Sequence, residues 1–232
     1  MICERSGVIF NIAITERKRA MKRHIRNMLI MLMALSLMML AGCGGGSSEP
    51  AETSDEPQQE LAKAADPVGI HHAEIEIKDY GTVKVELDGD TAPVTVQNFM
   101  DLAEKGFYDG LTFHRIIDGF MIQGGDPNGD GSGGAETNIV GEFAANGYEN
   151  DIAHTKGVIS MARAQDPNSA SSQFFIMVEE APHLDGQYAA FGHVTEGQDI
   201  VDKIAADAEP LDDNGTIAPE DQPVITSVKI ID

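Results

Sequence analysis

The sequence predicts a mainly β domain over residues 70–232, a closed antiparallel barrel capped by two α-helices. Three observations carry the prediction. Short apolar runs recur along this span, the first two alternate apolar and polar residues around a glycine-bearing turn, and only two stretches show the 3.6-residue period of a helix. Many short strands with few helices bury their apolar faces most simply by curling one sheet round a single core.

The elements follow in order. Ala73, Ile75 and Ile77 alternate with Glu74, Glu76 and Lys78; after Asp79-Tyr80-Gly81, Val83, Val85 and Leu87 alternate with Lys84, Glu86 and Asp88, which is a hairpin pattern. Thr91 and Pro93 supply a helix start, Val96, Phe99, Met100 and Ala103 share one helical face, and Gly106 provides a stop. The runs LTFHRII, GFMIQGG, GVISMA, QFFIMV, AAFGHV and PVITSVKIID read as further strands. A second helix is predicted from the capping-box spacing of Thr195 and Gln198, with Ile200, Val201 and Ile204 behind it. The chain shows no internal repeat.

Residues 1–69 have a different character. From Met21 the sequence runs MKRHIRN, then thirteen apolar-dominated residues (28–40), then Ala-Gly before Cys43. Thirteen residues fall short of the roughly 20 that cross a bilayer as a helix and match a secretory signal instead. Leu40-Ala41-Gly42-Cys43 resembles the lipobox of bacterial lipoproteins, which implies removal of residues 1–42 and lipid attachment at Cys43. A signal that begins correctly at Met21 makes residues 1–20 an upstream extension of the reading frame. Residues 43–69, glycine- and serine-rich and then acidic, have too little apolar surface to offset their ordering entropy and read as a tether. The expected location is extracytoplasmic, lipid-anchored to a bacterial cell envelope.

Charge excludes one class of partner. The chain carries a formal net charge of −22; residues 1–42 hold seven basic and two acidic residues, so the remainder has nine basic and 36 acidic, a net of −27. Such a surface repels polyanions, and no nucleic-acid partner is expected. The two cysteines, Cys3 and Cys43, both precede the predicted domain, so no disulfide is expected within it.

Other signals have plain readings. The loop DPNGDGSGGAE begins with the spacing of an EF-hand, at Asp126, Asn128, Asp130 and Gly131, but closes on Thr137 with Glu136 one residue short, and reads as a glycine-rich surface loop. It lacks the Gly-Lys-Ser/Thr of a phosphate-binding loop. No histidine pair has metalloprotease spacing, and adjacent strand residues His71 and His72 should face opposite sides, so no metal is expected. His114 reads as a hydrogen-bonded strand residue. LDDNGTIAPEDQP reads as solvated surface.

FHRIIDGFMIQGGD (113–126), GVISMARAQDPNSASSQFFIM (157–177) and HLDGQYAAFGHV (183–194) resemble three signature segments of the cyclophilins, the peptidyl-prolyl cis-trans isomerases. The resemblance runs from about Ile70 to Asp232 in order, both helices included. It implies an eight-stranded barrel and catalysis of rotation about Xaa-Pro bonds. That rotation has a barrier of roughly 18–20 kcal/mol because the amide nitrogen shares its lone pair with the carbonyl. A catalyst need only bind the twisted amide better than either planar form, which calls for no cofactor, metal or covalent intermediate.

By resemblance Arg115 is the catalytic residue, its rigid fork donating toward the proline nitrogen as that nitrogen pyramidalises. Phe120, Met121, Phe175 and Leu184 would line the proline pocket; Gln123 and Gln173, with backbone groups at Ala162, Arg163 and Ala164, would grip the peptide. Read singly, each apolar residue would be plain barrel core, and position within the matching segments assigns these four to the pocket. The pattern departs from the family at the rim. His183 stands where many cyclophilins have tryptophan, which argues against tight cyclosporin binding; Arg163 replaces a frequent asparagine and Tyr188 a frequent histidine, and the loop at Asp166 is one residue longer. The implied partners are proline-containing, unfolded or partly folded exported polypeptides, met by a monomer. Two rivals remain at this level: a module that holds proline segments with incidental turnover, and a barrel for small apolar ligands, against which Arg115 and Gln123 argue.

Overall fold

A computed structural model describes residues 69–232. The readings made on residues 1–68, including the signal, the lipidated Cys43 and the tether up to its last residue, lie outside the described residues.

Eight strands form one antiparallel sheet: β1 (Ile70–Ile77), β2 (Gly81–Asp88), β3 (Thr112–Ile117), β4 (Met121–Asp126), β5 (Val158–Met161), β6 (Phe174–Met177), β7 (Ala190–Glu196) and β8 (Ile225–Ile230). Their spatial order is β3-β4-β6-β5-β7-β2-β1-β8. Two helices, α1 (Pro93–Glu104) and α2 (Gln198–Asp207), and two short 3-10 turns, Ala144–Asn146 and Pro182–Leu184, are the other elements among the described residues. Every predicted strand and both helices are present. In the first hairpin Ala73, Ile75, Ile77, Val83, Val85 and Leu87 all point inward, as the alternation requires, and Asp79 takes the positive φ of its turn at 66°.

The barrel is not closed. The strands curl into an open half-barrel whose edges, β3 and β8, share only the bridge Thr112–Val224. The reason is stagger. β3 and β8 begin at the same point and run away from each other, so the ladder Phe113 N to Pro223 O and Ile225 N to Leu111 O ends within one turn. Gly110 N donates once more to the Ile225 carbonyl at 2.8 Å, and before it the chain lies in the turn at Tyr108 and offers the rest of β8 no strand to pair with. The remaining edge of β3 is covered by a second bridge, Arg115–Thr216, from the 208–224 loop.

The helices start differently from the sequence reading. Pro93 opens α1, but its N-cap is Ala92 and Thr91 Oγ1 donates to Asp88 instead. The orphan amides of Val94 and Thr95 are capped by the buried carboxylate of Glu142, at 3.0 and 2.8 Å. The capping box at α2 does not form: Gly197, at φ 88°, is the N-cap, Thr195 Oγ1 donates to the Lys84 carbonyl and Gln198 reaches Met177 and Asp202. The left-handed backbone at Gly197 turns both side chains away from the box geometry.

Two apolar clusters result. The larger fills the half-barrel, with Phe99 of α1 set among Tyr108, Phe174 and Phe191 at centroid distances of 5.2, 5.6 and 5.4 Å. The smaller lies on the other face of β4, β5 and β6 and contains Met121, Phe175, Met177 and Leu184. Along β6, Phe174 and Ile176 enter the first cluster, Phe175 and Met177 the second. That is why QFFIMV is an unbroken apolar run: both of its faces are buried.

Candidate active site

Strand register assembles the site. Arg115 pairs with Gln123 across β3 and β4, Gln123 with Phe175 on β6, and Phe175 with Ser160 on β5, so the four lie in one row across the sheet. The 3-10 turn at Pro182–Leu184 brings His183 and Leu184 to this face, and Tyr188 follows it. The result is a groove of about 380 Å³ to which Arg115, Phe120, Met121, Gln123, Ala162, Arg163, Phe175, His183, Leu184 and Tyr188 all contribute. Ala164 and Gln173, the other two predicted site residues in the described chain, line an adjacent polar cavity of about 330 Å³ that shares Gln123, Ala162 and Arg163 with the groove. Cys43 lies outside the described residues.

The arginine is held by neutral groups. Arg115 Nε donates to the Asn214 carbonyl at 2.8 Å, and Nη1 lies 3.2 Å from Gln123 Oε1 and 3.8 Å from Met121 Sδ. Half-burial pulls its pKa down while Tyr188 and Asp212 oppose the shift; guanidinium is basic enough to stay charged. The polar chain continues from Gln123 Nε2 to Gln173 Oε1 at 2.9 Å, and from Gln173 Nε2 to the carbonyls of Gly131 and Gly133 at 3.1 and 2.7 Å. Both Nε2 hydrogens of Gln173 are thus used within the protein.

The apolar wall is built from rings in pairs. Phe120 stacks on His183 with centroids 5.8 Å apart, and Phe175 meets Tyr188 edge-on at 5.8 Å. Behind Phe175 lies His154, stacked at 6.0 Å. Burial lowers the His154 pKa, with the Asp185 hydrogen bond opposing, so the ring is neutral: Nδ1 donates to Asp185 and Nε2 accepts the Ser160 hydroxyl, both at 3.0 Å. The Asp-His-Ser sequence of contacts has the form of a hydrolytic triad, but Ser160 has no exposed surface. It braces the pocket floor.

Sequence reasoning missed several of these parts. His154, Ser160 and Asp185 carry no local signal, because 31 residues separate the histidine from its carboxylate. LDDNGTIAPEDQP is more than solvated surface: Asn214 holds Arg115, and the Ile116 amide donates to the Gly215 carbonyl at 2.8 Å. His114 is buried as a strand residue, yet its Nδ1 has no hydrogen-bond partner. His71 and His72 both reach Asp232, at 2.6 and 3.1 Å, because that carboxylate wraps the strand end. In the EF-hand-like loop the Asp126 carboxylate accepts the amides of Asn128, Asp130 and Gly131, the pattern of a self-capped turn.

Comparison with known proteins agrees with this geometry. Residues 72–230 match the family model "Cyclophilin type peptidyl-prolyl cis-trans isomerase/CLD". Peptidyl-prolyl cis-trans isomerase-like 1 of Rhizopus delemar is 48% identical over 125 residues, 53% of this chain and 74% of that protein. A peptidyl-prolyl cis-trans isomerase of Helicobacter pylori is 42% identical over 158 residues, 67% of this chain and 90% of the relative. The crystal structure of a cyclophilin-type isomerase from Cryptosporidium parvum superposes with a TM-score of 0.62 at 30% identity, covering 71% of this chain and 99% of its own; a second structure of it, in the presence of the dipeptide Ala-Pro, gives 0.61. The half-barrel, the arginine-bearing groove and these matches place the chain in the family of cyclophilin-type peptidyl-prolyl cis-trans isomerases.

Proposed function

We propose that this chain isomerises Xaa-Pro bonds at the Arg115 groove, acting on exported polypeptides from a lipid anchor on the cell envelope. The observation that carries the site assignment is Arg115 itself, a half-buried guanidinium fixed through Nε on a backbone carbonyl and facing an apolar wall of Phe120, Met121, Phe175 and Leu184. The proline ring occupies that wall. As the amide twists, its nitrogen gains a localised lone pair, and a pre-placed donor stabilises that lone pair without reorganising. Both planar forms lack it, so the interaction is specific to the transition state.

Gln123 accepts from Nη1 and sets the plane of the guanidinium, leaving Nη2 free of protein partners among the described residues. The relay through Gln173 to the 131–133 backbone stiffens that arrangement. No proton is transferred, and neither His154 nor His114 is needed as a base.

The envelope setting is supported by the signal-like run and by Leu40-Ala41-Gly42-Cys43. Prolyl isomerisation takes about 10–100 s uncatalysed and limits folding on that scale, which gives such an enzyme its clients. The Ala-Pro dipeptide used with the Cryptosporidium structure supports proline-containing peptides as the ligand class. The test is acceleration of cis-trans exchange in proline-containing peptides by the full chain, with an expected loss of about 10²–10³-fold in Arg115→Ala. An inactive wild type, or an unchanged variant, would refute the site. Fatty-acid labelling that persists in Cys43→Ser would refute the anchor.

A further inference from the structure

Arg163 sits on the ridge between the groove and the polar cavity beside it, and it lines both. Its guanidinium touches no carboxylate among the described residues. It lies between two rings, with Cζ 5.0 Å from the Phe143 centroid and 4.7 Å from that of Tyr188. Its donors go to backbone carbonyls: Nε and Nη2 both to Gln187, at 3.1 and 2.9 Å, and Nη1 to Ala164 at 2.8 Å, with Gln165 at 3.4 Å. One side chain therefore ties the 162–169 loop to the segment that carries His183, Leu184 and Tyr188.

We propose that Arg163 is a positioning residue whose clamp fixes the ridge along which the bound polypeptide runs. The inference rests on the groove being the peptide site, and it assigns Arg163 a role through its neighbours instead of through the substrate. Tyr188 is held from one side by the guanidinium and forms a T-shaped pair with Phe175. Ala162 and Ala164 flank the clamp in sequence, and Ala162 N is fixed on the Gln173 carbonyl at 2.9 Å. Loosening the clamp lets the rim and the Tyr188 wall drift, while Arg115, held separately by Asn214 and Gln123, stays in place.

The expected signature is kinetic. A wall that contacts ground and transition states alike contributes uniform binding, so its loss raises KM and leaves kcat. Planarity is essential: lysine keeps the charge but can neither fork on one carbonyl nor stack between two rings. In the full chain, Arg163→Ala and Arg163→Lys should each raise KM, and the Kd of a proline-containing peptide measured by calorimetry, about tenfold, with kcat within twofold. Amide exchange should quicken at residues 164–169 and 185–190 and stay unchanged in β4 and β6. Arg163→Lys with wild-type KM and Kd would overturn the proposal, as would unchanged exchange in those segments or a fall in kcat at constant KM. A wild type that binds the peptide without turnover would refute the isomerase site alone, since the clamp would still be judged on Kd.

Discussion

Glu142 offers the sharpest test of how this fold is held. It is 3% exposed and lies 47 residues from the amide it caps most closely. Its carboxylate accepts Val94 N at 3.0 Å, Thr95 N at 2.8 Å and Thr95 Oγ1 at 2.7 Å. Pro93 has no amide to satisfy and Ala92 supplies no side-chain cap, so the start of α1 depends on this one group. The negative charge is also placed at the positive end of the helix macrodipole. Glu142→Ala leaves three donors without partners, the buried Thr95 amide and hydroxyl and the half-buried Val94 amide, each costing up to about 1–3 kcal/mol. These costs overlap, and a total of roughly 3–5 kcal/mol is a large share of the 5–15 kcal/mol typical of a domain.

Glu142→Gln keeps the volume but turns an NH2 group toward donors, for an expected loss of about 2–3 kcal/mol. Thr95→Val removes one of the three bonds and should cost about 1 kcal/mol. The assay is urea unfolding followed by circular dichroism and by tyrosine emission, since the chain has no tryptophan. For a domain of this size each kcal/mol lowers Tm by about 2–4 °C. Glu142→Gln within 1 kcal/mol of wild type would refute the remote cap.

Two further predictions rest on the loop behind Arg115 and on the buried histidines. Gly215 has φ 85° and a Cβ there would stand 2.6 Å from the Ile116 carbonyl oxygen, so Gly215→Ala should displace the neighbouring Asn214 carbonyl and lower kcat/KM at least about tenfold; wild-type activity in a folded variant would refute the anchoring role. Burial lowers the pKa of both His114 and His154, against the pull of nearby carboxylates. Below the unfolded value of about 6.5 the unfolded chain therefore takes up protons that the folded chain refuses. Stability is full above that pH and falls as pH drops toward 5, by at most about 1.4 kcal/mol per histidine per pH unit. A urea midpoint that stays level or rises between pH 7 and 5.5 would contradict this.

Much of the fold was legible because burial writes itself into side-chain pattern. Ile75, Val83 and Leu87 announce a one-sided hairpin, and Phe174 to Met177 a strand, whose burial on both faces the structure adds. The grouping of Arg115, Phe120, Gln123 and Phe175 was legible through the motif segments; strand register explains why Arg115, Gln123 and Phe175 converge, and Phe120 joins them from the β3–β4 turn. What stayed hidden was of two kinds. Groups acting through the backbone, such as the Asn214 carbonyl on Arg115 or Gly131 and Gly133 on Gln173, leave no residue-type signal. Partners far apart in sequence, such as Glu142 with α1 or Asp185 with His154, look like ordinary surface acids in a chain with 38 of them. The open seam between β3 and β8 was hidden for a related reason: pattern gives each strand its faces, while stagger is set by where the turns at Tyr108–Gly110 and Ala218–Asp221 fall.

The neutrality of the arginine's anchors is itself part of the chemistry. Lys84, Lys156 and Lys203 all pair with carboxylates on the acidic surface, whereas Arg115 and Arg163 are held by carbonyls and rings. A carboxylate beside Arg115 would compete with the amide nitrogen for the same donors. Gln123→Glu is the direct trial, since it would place an anion about 3.2 Å from Nη1 with little change in volume. At an effective dielectric near 20 the gross attraction is about 5 kcal/mol, and whatever part of it is surrendered as the guanidinium turns to the twisted amide adds to the barrier. Losing about a quarter of it would slow the reaction about tenfold. Gln123→Met removes the same amide without adding charge, so the ratio of the two variants isolates the electrostatic cost. Gln123→Glu should be at least about tenfold slower in kcat than Gln123→Met. Equal rates would mean that Arg115 works by position alone.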